Sequence, residues 1–67
     1  MKLMINGEEV QVPDSLRSIT ELLEHLKLDD QIVIAEVNQD IISNEKQSVT
    51  QIKENDRIEL VRFVGGG

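Results

Sequence analysis

The sequence predicts an α+β fold, a mixed sheet with one helix packed on one of its faces. Three observations carry that expectation. Period-two alternation marks strands near both ends of the chain. A single stripe with helical period lies between them. Neither one helix nor one sheet can bury its apolar face alone, so the simplest two-layer solution lays the helix across the sheet. The element order is β-β-α-β-β-β.

Lys2-Leu3-Met4-Ile5 reads as the first strand. Asn6-Gly7 follows, a strong hairpin signal, because both central residues of a type I′ turn need positive φ. Glu8-Glu9-Val10-Gln11-Val12 alternates as the return strand, and Pro13, which cannot donate to a ladder, closes it. Leu3, Ile5, Val10 and Val12 then share the core face.

Ser18-Ile19-Thr20-Glu21 fits a capping box, with the Ser18 hydroxyl taking an orphan N–H and Glu21 reaching back. Ile19, Leu22, Leu23 and Leu26 form one apolar stripe, and Thr20, Glu21, Glu24 and His25 face water. Lys27 suits the negative end of the helix dipole. Asp29-Asp30 marks the exit.

Ile32 to Val37 is the most β-prone stretch, with Val33, Ala35 and Val37 turned inward. Asn38-Gln39-Asp40 is read as a turn, although Gln39 is an unusual turn residue. Ile41-Ile42 makes a short strand. Ser43 to Gln51 is polar and irregular, and Val49 and Ile52 are expected to pin it to the core. Glu54-Asn55-Asp56 is a turn in which Asn55 tolerates the left-handed region. Arg57 to Val64 is the last strand, expected to pair with the first in the middle of the sheet. Residues 1–64 form the domain, and 65–67 are read as a flexible glycine tail.

Composition narrows the function classes. At 67 residues the chain is one small domain. It has no cysteine, hence no disulfide and no thiolate metal site. Its 13 acidic and 7 basic residues give a net charge of −6, which disfavours nucleic acid and suits a basic partner surface. No apolar run is long enough to span a membrane. The opening residues turn polar too soon for a signal peptide, so the expected compartment is the cytoplasm.

Chemistry is scarce. There is no phosphate-binding glycine loop. His25 stands alone, and Asp29-Asp30 offers too few oxygens for calcium, so both are read as solvated surface. Ser15, Ser18, Ser43 and Ser48 have no histidine at a suggestive spacing to act as base. No metal site, bound cofactor or catalytic residue is expected.

Two features remain. If Ile58 and Leu60 face the helix, Val61 and Phe63 face the other way and share the outer sheet face with Ile34 and Met4. A contiguous apolar patch there favours a partner contact over stray apolar surface. The glycine run that follows can thread a narrow slot and adopt backbone angles closed to other residues. Three extended residues reach about 10 Å, enough to carry a terminal carboxylate into another protein's active site. A carboxylate is a weak nucleophile, and coupling it to anionic ATP requires a partner that supplies Mg²⁺ or arginine.

Taken together, "INGEEVQVP", "SITELLEHLKL", "IVIAEVNQDII" and the closing "DRIELVRFVGGG" resemble the ThiS family of sulfur carriers of thiamine biosynthesis over essentially the whole chain. That resemblance implies the ubiquitin-like β-grasp fold. It also implies a role as protein co-substrate rather than enzyme. An E1-like adenylyltransferase (ThiF-like) would use ATP and Mg to adenylate Gly67. A cysteine desulfurase would be the source of the sulfur that makes the thiocarboxylate. A thiazole synthase (ThiG-like) would receive that sulfur. Gly65 and Gly66 would thread the tail, and Phe63, Val61, Ile34 and Met4 would dock the partner. Relatives often carry glycine where Gln39 and Asn55 stand here. Three alternatives stay open on the sequence: a carrier for molybdopterin or another sulfur pathway, a ubiquitin-like modifier joined through Gly67, and a plain adaptor.

Overall fold

The computed structural model describes residues 1–62; Phe63, Val64 and the three terminal glycines lie outside the described residues. The elements are β1 (Lys2–Ile5), β2 (Glu8–Gln11), α1 (Ile19–His25), β3 (Val33–Val37), β4 (Asp40–Ile42) and β5 (Arg57–Arg62). A short 3₁₀ turn at Asn44–Lys46 interrupts the polar loop that the sequence leaves irregular.

The five strands form one sheet in the order β2-β1-β5-β3-β4. β1 and β5 run parallel, and every other neighbouring pair is antiparallel. The first and last strands therefore meet in the middle, as expected, and the sheet is mixed. β5 sits between two hairpins. Both hairpins close through turns whose central residues have positive φ: Asn6 at 51° with Gly7 at 83°, and Asn38 at 50° with Gln39 at 77°. Gln39 thus occupies a left-handed position that usually favours glycine or asparagine.

The core lies between the sheet and α1. Leu3, Ile19, Leu22 and Ala35 are fully buried, and Ile58 nearly so. Val12 is buried just beyond the end of β2, and its N–H donates to the Met1 carbonyl at 2.9 Å. Ile32, expected inside the third strand, lies outside it and is exposed.

Capping explains the helix bounds. The Ser18 hydroxyl accepts from the Glu21 N–H at 3.1 Å. Glu21 does reach back, but its carboxylate accepts from the Arg17 N–H, one residue earlier than a standard capping box places it. At the other end, Leu26 is the C-cap. The Lys27 N–H donates to Glu24 O at 3.1 Å, and the Leu28 N–H donates to Leu23 O at 2.8 Å. This double closure is a Schellman motif, with Lys27 at φ 61° in the position glycine normally takes.

The loop before β5 corrects one expectation. Val49 does not pin it to the core; it is 72% exposed. Ile52 is buried as expected, but the second anchor is polar. Gln47 is only 9% exposed, and its Nε2 donates to Val33 O at 3.0 Å and to Asn44 Oδ1 at 3.2 Å. Its carbonyl also accepts from the Thr20 N–H at 3.1 Å, and Thr20 is half-buried rather than fully solvated. The loop is held by hydrogen bonds because buried polar groups that find partners cost little.

Candidate functional site

The outer face of the sheet follows from strand parity. Alternation buries Val33, Ala35, Val37, Ile58 and Leu60 against the helix side, so Ile34, Glu36, Glu59 and Val61 face outward. Ile34 and Val61 are direct Cα partners across β3 and β5, and they are 38% and 53% exposed. The structure therefore brings these two residues together.

Met4 is placed differently. It pairs with Arg57 on one side and Glu9 on the other, at the far end of the same face. Val61 lies four residues farther along β5, about 13 Å at the usual rise per residue. Glu59 stands between them, directly opposite Glu36. The outer face thus has an apolar end formed by Ile34 and Val61, an acidic middle, and a second end where Met4 neighbours Arg57. Phe63, Gly65, Gly66 and Gly67, the other residues named from the sequence, fall outside the described residues.

β5 is held on both flanks by asparagine side chains from the two hairpin turns. On the β1 side, backbone pairing runs from Met4↔Arg57 to Ile5↔Ile58. The Asn6 N–H donates to Ile58 O at 2.9 Å. The Asn6 side chain then extends the ladder. Its Oδ1 accepts from the Leu60 N–H at 2.8 Å, and its Nδ2 donates to Leu60 O at 3.3 Å. On the β3 side, Asn38 Oδ1 accepts from the Arg57 N–H at 3.0 Å, and the Asn38 N–H donates to Arg57 O at 2.7 Å. Asn38 Nδ2 also reaches the buried Asp56 carboxylate at 3.0 Å. Asp56 Oδ2 accepts from the Lys53 N–H at 2.8 Å, which closes the turn before β5.

Sequence reasoning treats Asn6 and Asn38 as turn formers only. The available signal was that both open two-residue turns. That they grip one common strand depends on the strand order.

Among the described residues, no group of three histidine, cysteine, aspartate or glutamate side chains gathers to hold a metal. His25 is exposed beside a shallow cleft lined by Pro13, Ser15, Leu16, Glu21 and Glu24. No helix among the described residues is long and apolar enough to cross a membrane.

The family model described as the ThiS family matches residues 3–67. The chain belongs to the ThiS family. It is 38% identical to the sulfur carrier protein ThiS of Bacillus subtilis (strain 168) over 65 residues, 97% of this chain and 98% of that one. It also aligns along its whole length with a thiazole synthase of Paramagnetospirillum magneticum, at 36% identity, but spans only 20% of that longer protein. The crystal structure of a thiamine biosynthesis protein (ThiS) from Geobacter metallireducens superimposes with a TM-score of 0.83 and 33% identity, covering both chains completely. The β-grasp arrangement expected for a ThiS-family chain is the one found, with a five-stranded mixed sheet and one helix.

Proposed function

We propose that this chain carries sulfur for the thiazole of thiamine on a Gly67 thiocarboxylate. The observation that supports this most is the family match, which runs through residue 67 and so takes in the terminal glycine. The chain provides the acyl group and the partners provide the catalysis. An E1-like adenylyltransferase holding ATP and Mg²⁺ joins the Gly67 carboxylate to AMP and releases pyrophosphate. A persulfide formed by a cysteine desulfurase displaces AMP to give an acyl disulfide. A thiol then supplies the two electrons that free the thiocarboxylate. Thiazole synthase receives the sulfur. That last pairing is supported by the Paramagnetospirillum thiazole synthase, one fifth of which resembles this entire chain.

Gly65 and Gly66 thread the adenylyltransferase slot, where side chains would collide. Phe63, with the opposed Ile34 and Val61, supplies the apolar contact, and Met4 contributes from the far end of the face. Ordering the tail on docking costs on the order of 1–2 kcal/mol per residue, which burial of that apolar surface offsets. The excess of carboxylates on the chain, and the Glu36–Glu59 pair on this face, suit a basic partner. These reactions belong to the cytoplasm, where ATP and reduced thiols are abundant.

The test is an intact-mass measurement after incubation with the adenylyltransferase, ATP, Mg²⁺ and the desulfurase with cysteine. The expected product carries one sulfur in place of one oxygen at Gly67, and a chain lacking Gly67 stays unmodified while folding normally. Accumulation of high-mass conjugates without that exchange would instead establish a protein modifier.

A further inference from the structure

We propose that Asn6 is a positioning residue for the tail, because its carboxamide fixes the point on β5 from which the tail departs. The proposal rests on the reading that Gly67 is the reacting end. β1 ends at Ile5, yet β5 continues to Arg62. Backbone pairing with β1 stops at Ile5↔Ile58. Among the described residues, the last hydrogen bonds to β5 from the β1 side are the two that Asn6 makes with Leu60. They act as one further rung of the ladder, built from a side chain. On the other flank, β3 pairs with β5 as far as Val33↔Arg62. Without Asn6, and among the described residues, β5 beyond Ile58 is held from one side only.

Fraying is the expected consequence. Residues released from the strand become part of the tail and must be ordered again when the carrier docks. A longer flexible segment also lowers the effective concentration of the carboxylate at the reacting site. The side chain is free for this work because Asn6, at φ 51°, already occupies the turn by backbone conformation, and glycine satisfies that conformation without a carboxamide.

Asn38 provides an internal control. It too sits in a type I′ turn and places a carboxamide on the β5 backbone, but at Arg57, the end of the strand farthest from the tail. The experiment compares Asn6→Gly and Asn38→Gly in full-length chains, well below their unfolding transitions. Steady-state adenylation is followed by pyrophosphate release, and amide hydrogen exchange is measured on the carrier alone. For Asn6→Gly, KM for the carrier should rise about tenfold with kcat changed much less, because the released residues are re-ordered on docking. Exchange at Leu60 should accelerate by about tenfold or more through local opening. Asn38→Gly should leave KM within about twofold of the parent, since its lost bonds lie at the distant end. Asn6→Asp should recover part of the loss, because Oδ1 still accepts from the Leu60 N–H. Equal KM shifts in both glycine variants, or no shift in either, would overturn the proposal, as would unchanged exchange at Leu60. A parent chain that is not adenylated at all would overturn the carrier reading instead, and Leu60 exchange would still decide whether Asn6 holds the strand end.

Discussion

Ile34 on β3 and Val61 on β5 stand directly opposite one another at one end of the outer face, and both remain substantially exposed. Pairing on the outer flanks stops short of them, at Ile58 on the β1 side and at Ala35 on the β4 side, so at this pair the sheet is only β3 and β5 wide. The pair is thus an accessible apolar contact, and on the proposed reading a docking partner covers it.

Replacing both residues with alanine is therefore expected to weaken adenylyltransferase binding by about tenfold or more. Folding stability should fall by only about 1 kcal/mol, the range spanned by strand propensities. Titration calorimetry with the partner and urea unfolding of the free chain separate the two effects. Unchanged affinity would remove the pair from the docking face.

Glu36 and Glu59 face one another on adjacent strands, the arrangement in which like charges oppose pairing. Glu59→Gln should raise stability by roughly 0.2–1 kcal/mol at low salt. The gain should shrink as salt rises, because both groups touch solvent. Thermal melts at two ionic strengths check this. A gain that does not change with salt would show that repulsion is not its origin.

Gln47 carries the loop that precedes β5. Gln47→Leu keeps the volume but removes the donor to Val33 O, so a buried carbonyl is left unpaired. The expected loss is about 1–3 kcal/mol, read as a lower urea midpoint with the slope preserved. A neutral result would mean that water replaces the amide.

Lys27 occupies the left-handed closing position of α1. Lys27→Gly should stabilise the fold by about 0.5–1 kcal/mol, since relief of the left-handed strain outweighs the freedom glycine gains in the unfolded chain. A melting temperature equal to or below the parent's would refute that assignment.

Much of the fold is legible from local chemistry. Asn6-Gly7 announces its turn, Ser18 its helix, and Val33, Ala35 and Val37 their inward face, because each signal lies within a few residues of its effect. What local chemistry does not disclose is set at longer range. Val49 has the side chain of a core residue, but the path of the loop turns it outward and brings Gln47 inward instead. Met4 shares a face with Val61 by parity, yet the parallel register of β1 against β5 sets them at opposite ends of it. The second duty of Asn6 was hidden for the same reason, since nothing near Asn6 in the chain indicates that Leu60 will lie beside it.

The strand order has a consequence for how the molecule assembles. β1–β2 and β3–β4 are hairpins with local partners, and each can begin to form soon after its residues are made. β5 is the strand that joins them, and its contacts reach back more than fifty residues to β1. Closing so long a loop is the slow part of such a topology. Until β5 arrives, β1 and β3 each present a bare edge, and afterwards neither does. The segment that leads to the terminal glycines is thus the one whose insertion completes the sheet. On the proposed reading, a chain that has failed to fold offers its partners a carboxylate without the docking face, so recruitment itself would discriminate finished carriers from unfinished ones.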